Sequence, residues 1–346
     1  MHANIRAQRE KLGWSQNDLA ERAGVSRQLV GAMESGRHVP NVRAAMAVAG
    51  ALGVSVEALF SGPGPGSRSG PVPVLGDLLP PDGSTAMVAQ VGDQVVVATN
   101  DHAVASSERW ALADATINDG QVSLLDHAPL ESLVLAGCDP ALAIIAGLVE
   151  RISRHRVLTV HASTGRSIVA LGAGRAHGVL VHAPSGRFPA PPIEVRRWQL
   201  ARWQVGVASA RASGVPTLDE IAERRLQIVQ RDPGAGTQQA FNRAMQKIGA
   251  TTPVPGPLAE GHIDVARRVA AGAAAGVTME ASARSFHLGF TALEEHTVEL
   301  WLDARWAALP AAVTLVEVLA GSSLQTRLRL IGGYDLTDCG TERHTA

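Results

Sequence analysis

Residues 15–36 read SQNDLAERAGVSRQLVGAMESG, and this stretch decides the fold of the N-terminal part. Ser15 is a good N-cap, with a helix predicted over Gln16–Ala23. Gly24 breaks that helix. Ser26 caps a second one, which runs to about Ser35, and Gly36 ends it. Leu19, Ala20, Val25, Val30 and Met33 are spaced to share a small core. Two short helices around a turn of about three residues form a helix-turn-helix. In such a unit the second helix enters the major groove with its N-terminal residues at base edges. Here those are Ser26, Arg27 and Gln28, with Gly31 one turn on. Gln28 suits adenine, and Arg27 suits guanine or phosphate.

Working outward, the match to a known pattern extends from Ile5 to Phe60. Ser15-Gln16, Leu19-Ala20, Gly24-Val25-Ser26, Val30, Glu34, Gly36, Pro40, Ala49, Leu52-Gly53-Val54 and Leu59-Phe60 carry it. The segment resembles the repressor/Cro-type (XRE) helix-turn-helix family. That resemblance implies phosphate contact by Gln16 and backbone contacts by Arg37, His38 and Asn41. Arg6, Arg9, Lys11, Arg22, Arg27, Arg37 and Arg43 face Glu10, Asp18, Glu21, Glu34 and Glu57, a net +2. So small an excess suggests that specific affinity for double-stranded operator DNA requires a homodimer on a two-fold site.

Ser61–Pro73, SGPGPGSRSGPVP, has no periodic apolar pattern and reads as a linker. About 280 residues follow. Residues 74–128 read as a β-rich connector, with VAQVGDQVVVATN (88–100) as a hairpin and INDGQVSLLD (117–126) holding a second turn. From residue 129 the chain alternates. SLVLAG, VLTVHA, HGVLVHA, LQIVQ and GVTM read as strands. Helices are predicted over Asp139–Arg154, Ser163–Ala173, Thr237–Ile248, Ile263–Ala271 and Glu280–Phe286. Such alternation predicts α/β sheets with parallel strands.

AGCDPALAIIAGLV (136–149), Ser163-Thr164-Gly165, LARWQVGVASA (200–210), RDPGAGTQQAF (231–241) and IGGYD (331–335) carry a second resemblance. Residues 129–338 are similar to the periplasmic-binding-protein-like domains, related to molybdate-binding proteins, that occur fused to helix-turn-helix regulators. This implies two α/β lobes joined by crossover strands, near 199–209 and 297–302, with a ligand in the cleft. The expected fold is therefore multi-domain: an all-α helix-turn-helix, a short β-rich connector, and a two-lobed α/β domain. Residues 339–346 read as a tail.

Three strand-to-helix turns are candidate ligand contacts. They are Cys138-Asp139, Ser163-Thr164, and the loop holding Gly234, Gly236 and Thr237. Helix N-termini leave N–H groups unpaired and favour oxyanions, and ordinary capping gives the same residue types. Asp139 reads either as a cap or as a contact to a ligand amine. Arg231 is either a ligand cation or an ion-pair partner. Tyr334 either closes the cleft or packs. His182 and His161 end strands and are hydrogen-bonded structural histidines or cleft residues. No close pair such as His-x-x-x-His supports a metal, so neither metal nor cofactor is expected beyond the effector itself. GAGT lacks the lysine of a nucleotide-phosphate loop, and no nucleophile–base set supports catalysis. APSGRFPAPPIEV (183–195) and EEHTVELWLD (294–303) depart from the family pattern near the cleft. The effector thus remains an oxyanion such as molybdate or tungstate, or a small organic metabolite.

Thirty-one Lys+Arg against 32 Asp+Glu exclude a bulk-basic nucleic-acid protein, and 3% aromatics argue against stacking platforms for single strands. Cys138 and Cys339 cannot form a disulfide scaffold, which fits a reducing compartment. No apolar run reaches membrane length and the N-terminus lacks a secretory h-region, so a cytoplasmic protein is expected. The expectation is a one-component, ligand-responsive transcriptional regulator. The alternative is a DNA-binding regulator whose C-terminal domain only dimerises.

Overall fold

The computed structural model describes residues 3–35, 40–54, 56, 59, 81–99, 113–118, 121–126, 128–250 and 252–343. The expected linker at 61–73, together with Arg37 and His38, lies outside them. The chain divides into two compact units, Met1–Arg68 and Ser69–Ala346.

In the first unit, α1 (Ala3–Lys11), α2 (Gln16–Ala23), α3 (Arg27–Glu34) and α4 (Val42–Leu52) pack together. Ser15 and Asp18 close a reciprocal capping box at the start of α2. Gly24 ends α2 at φ 62°, a left-handed conformation that glycine adopts without a Cβ clash. Ile5, Leu19, Val30, Met33, Val48, Leu52 and Leu59 form the core. Each such side chain contributes roughly 1.5–3 kcal/mol on burial. An internal ion cluster ties α1 to α3: Arg9 Nε donates to Glu34 at 2.6 Å, and Gln16 donates to the same carboxylate at 2.8 Å.

In the second unit, β1 (Thr85–Val91), β2 (Gln94–Thr99), β3 (Ala115–Asn118) and β4 (Gln121–Leu124) form an antiparallel sheet of order β2-β1-β3-β4. Val91 pairs with Gln94, so Gly92-Asp93 is the two-residue hairpin turn read from the sequence. Ala89, Val91, Val96 and Ala98 share a core with Val134, Ala136, Leu158, Val160 and Trp301. The β-rich segment is therefore packed onto the first lobe.

That lobe is built on β5 (Ser132–Gly137), flanked in parallel by β6 (Arg156–His161) and β7 (Gly178–Pro184). Helices α5 (Ala141–Ser153) and α6 (Thr164–Gly172) follow β5 and β6. Two 15-residue strands, β8 (Val195–Ser209) and β12 (Gly289–Asp303), pair antiparallel along their length. At one end β12 pairs with β7, and at the other β8 pairs with β11 (Gly276–Met279). These two strands are the expected crossovers, and they join the lobes. The close approach of β12 to β8 requires glycine at 206, where a Cβ would stand 2.1 Å from the Thr291 carbonyl oxygen.

The second lobe adds α7 (Leu218–Glu223), β9 (Gln230–Arg231), α8 (Gly236–Lys247), β10 (Leu258–Ala259), α9 (His262–Ala270) and α10 (Glu280–Ser285). The strand read at Leu226–Gln230 shrinks to Gln230–Arg231. Its neighbour is the Pro253–Pro257 stretch, which accepts from Ile228 and Gln230 N–H groups, but proline has no N–H to return. Helices α11 (Pro310–Ala320) and α12 (Ser322–Ile331) follow the return crossover, with α11 against α5. The expected 339–346 tail contains a short strand, β13 (Glu342–Arg343), paired with β8 at Trp198 and Arg197. Arg196 holds Glu342 at 2.8 Å, which anchors this strand to the sheet.

No helix of the described residues is long and apolar enough to cross a membrane.

Candidate functional site

The DNA-facing candidates converge on α3. Ser26 caps this helix by accepting from Leu29 N–H at 3.1 Å, and Ser26, Arg27 and Gln28 are exposed. Gln16 lies beside Gly31: a Cβ there would meet its Oε1 at 3.7 Å. Its amide is engaged with Glu34, which fixes α2 against α3. Asn41 caps α4 through Ala44 N–H at 2.9 Å and is exposed.

The second candidate lies between the lobes. A cavity of about 600 Å³ is bounded by Cys138, Asp139 and Pro140 from the first lobe and by Gly261, His262 and Arg267 from the second. The crossover strands place further polar groups behind it. Cys138, at the end of β5, is 4% exposed, and burial pushes its thiol up to about 11.

Asp139 is buried and accepts three bonds: Ala141 N–H and Tyr334 O–H at 2.8 Å, and Trp203 Nε1 at 2.9 Å. Burial raises its pKa against these three donors. Asp139 and Tyr334, both read as ligand candidates, thus spend their polar atoms on each other and on the fold. Ser163 caps α6 through Arg166 N–H at 3.5 Å. Thr164 Oγ1 accepts from the backbone N–H of His182 at 3.1 Å, which pins α6 to the end of β7. Gly234 N–H donates to Asp232. Gly236 starts α8 against a histidine pair: a Cβ there would meet His182 Cε1 at 3.0 Å and His296 Cε1 at 3.6 Å. Thr237 is 1% exposed.

His182 Nδ1 lies 2.8 Å from His296 Nδ1, and His296 Nε2 lies 2.8 Å from Glu294. Arg243 grips Glu294 through two bonds, at 2.7 and 3.1 Å. Trp203 stacks on His296 at 14° between planes. His262 is 1% exposed, and neither of its ring nitrogens has a hydrogen-bond partner. Burial, then Arg231, holds its pKa well below the usual histidine value. His182 is lowered in the same way by burial, then by His296 and Arg231.

Arg231 does not line the cavity, but its charge acts on Cys138, His182 and His262. It is 2% exposed, with Nε and Nη1 lacking any partner. Burial lowers its pKa. Among the described residues no carboxylate forms an ion pair with it.

The structure therefore gathers Cys138, His182, Arg231 and Gly236 at the inter-lobe junction. Tyr334 is tied to Asp139, and Ser163 and Gly234 serve their own turns. Sequence reasoning missed His262, His296 and Trp203. The one local signal for His262 was Gly261 before a helix, the same pattern as Gly234–Thr237. Helices α8 and α9 are alike in having no side-chain cap at their N-termini.

A helix-turn-helix unit followed by a two-lobed α/β domain with a cleft between its lobes defines a DNA-binding regulator carrying a ligand-binding domain. The chain belongs to the PBP superfamily, whose domain matches residues 146–320, and an XRE-type helix-turn-helix matches residues 5–59. Over 53 residues it is 47% identical to an uncharacterized HTH-type transcriptional regulator of Methanothermobacter thermautotrophicus, covering 15% of this chain and 77% of that protein. Among solved structures, a putative phosphate ABC transporter substrate-binding protein with bound phosphate from Clostridium perfringens is similar at 10% identity and a TM-score of 0.47, covering 59% of this chain and 98% of that one. A tungstate ABC transporter from Geobacter sulfurreducens gives 15% identity and a TM-score of 0.43, with 56% and 97% coverage. The cofactor-binding domain of the Cbl transcriptional regulator gives 17% and 0.42, with 58% and 92% coverage.

Proposed function

We propose that the chain is a one-component transcriptional regulator whose second unit binds a small anionic effector between its lobes. The observation that carries this reading is Arg231, a buried guanidinium with two unpartnered nitrogens and no paired carboxylate among the described residues. Asp232 and Asp264 act on it only from beyond ion-pair distance. A buried cation without a directly bonded partner is destabilising, and a bound carboxylate or oxyanion compensates it. The uncapped N-termini of α8 and α9 add partial positive charge of the same sign. In the first unit, Arg27 and Gln28 read base edges of a two-fold operator as a homodimer, the geometry expected of this kind of head. The effector alters DNA affinity only by binding open and closed lobes differently, so tight binding alone does not regulate.

The test is thermal unfolding of the full chain with molybdate, tungstate, sulfate, phosphate and small carboxylates. An effector at 100 times its dissociation constant adds roughly 2.7 kcal/mol to the unit that binds it. Arg231→Met keeps the bulk and removes the charge, so it should abolish the shift. An anion that protects both chains equally would remove Arg231 from the site. Fluorescence anisotropy on operator DNA, with and without the active anion, then reads regulation.

A further inference from the structure

We propose that Cys138, His182 and His262 form a binding site for a zinc-class divalent metal ion, with one coordination position open toward the inter-lobe cavity. One ligand atom from each residue lies within 4.8 Å of the others, and all three residues are buried. They come from three separate elements: the end of β5, the end of β7 and the start of α9. A thiolate with two imidazoles is a donor set for zinc or cobalt, not for the oxygen-seeking magnesium or calcium. Tetrahedral bonds of about 2.1 Å to nitrogen and about 2.3 Å to sulfur set neighbouring ligand atoms about 3.4–3.6 Å apart, so the cluster, whose ligand atoms lie within 4.8 Å of one another, contracts by up to about 1 Å on loading.

Two independent observations point to a ligand. The first is His262, 1% exposed, with both ring nitrogens lacking partners. Buried polar atoms are ordinarily satisfied, so this ring is prepared for something other than the fold. The second is the relay behind His182. Glu294 is held as a carboxylate by Arg243 and accepts from His296 Nε2–H. His296 Nδ1 must then accept, so His182 Nδ1 carries the proton that it donates there. His182 Nε2 is left with its lone pair. A carboxylate behind an imidazole fixes the tautomer and raises ligand basicity, as in well-built metal sites.

Cys138 and His262 also face the cavity, which gives a bound ion access to a fourth ligand there. Loading displaces the thiol proton of Cys138 to solvent. The ion and thiolate together carry one positive charge beside Arg231, and an anion in the fourth position balances it. The proposal does not rest on the anion reading, and the two fail separately.

The test is titration of the chelator-dialysed full chain with Co2+, then competition by Zn2+. One equivalent of Co2+ should bind with tetrahedral d–d bands and a sulfur-to-cobalt charge-transfer band, both removed by Zn2+. Cys138→Ser should abolish the charge-transfer band, and His262→Gln should weaken Zn2+ binding at least about tenfold. Cys339→Ser, at the free thiol outside the cluster, should retain both signals. Circular dichroism of each metal-free variant checks the fold, and if Cys138→Ser unfolds, His262→Gln decides alone. The proposal is overturned if no stoichiometric Co2+ or Zn2+ binds, if binding lacks the thiolate band, or if the band persists in Cys138→Ser. It is equally overturned if anions protect the chain while neither metal binds.

Discussion

Acid should weaken the second unit through His177. This residue is 4% exposed, and its Nδ1 accepts the N–H of Val134 on β5 at 2.9 Å. Burial lowers its pKa from 6.5 to about 4, against the opposing pull of Asp303. The folded chain therefore holds the proton less tightly than the unfolded chain. Its stabilising effect is complete above pH 6.5 and is lost as pH falls toward about 4. At 1.36 kcal/mol per pH unit, the difference amounts to about 3 kcal/mol. The geometry gives the same sign, because a protonated Nδ1 has no lone pair for Val134, and a buried amide loses its acceptor. Asn at 177 keeps an acceptor near the same place and does not titrate. Urea unfolding of both chains from about pH 7.5 to about pH 4.5 should show the natural chain losing most of that 3 kcal/mol relative to His177→Asn. His182, His262 and His296 are also held neutral by burial, so both chains lose stability in acid, and the difference isolates His177. Parallel losses in the two chains, or a His177 resonance titrating near 6.5, would refute the reasoning.

Three further outcomes are expected. Trp203→Phe leaves the buried Asp139 carboxylate with two donors instead of three and should cost about 1–3 kcal/mol in urea unfolding; an unchanged midpoint would mean that the third bond contributes nothing. Glu34→Gln removes the carboxylate charge facing Arg9, which keeps the Trp14 carbonyl and Glu10, and should destabilise the first unit by about 1–3 kcal/mol, read as loss of operator binding at lower temperature. Arg27→Ala with Gln28→Ala, both exposed, should leave the helical circular dichroism melt unchanged and reduce operator affinity to the non-specific level; retained footprinting would move the reading surface elsewhere.

Much of the first unit was legible because its signals are local. Ser15, Gly24, Ser26 and Gly53 act through bonds and dihedrals within a few residues, and the apolar spacing of Leu19, Val30 and Met33 follows from helix geometry. The same holds for the Gly92-Asp93 hairpin and for β5 and β11, whose bounds coincide with SLVLAG and GVTM. The strand at Leu226–Gln230 was overread because its proline-rich neighbour cannot complete a ladder, and that neighbour is not local. The tail was underread for a similar reason: Glu342 acquires meaning only beside Arg196.

The sequence by itself determined a helix-turn-helix head, an alternating α/β region and the strand-to-helix turns that are candidate ligand contacts. It also singled out Cys138, His182 and Arg231 as chemistry without a settled role. Only the tertiary structure decided that Asp139 is consumed by Trp203 and Tyr334, and that His262 stands beside Cys138 and His182. The physical reason is register. His296 sits opposite Trp203 on β8 and Pro184 on β7, so the pairing of two long crossover strands brings the histidines together. Caps and periodicity act over a few residues, whereas burial without a partner, as at Arg231 and His262, exists only once both lobes are folded around them.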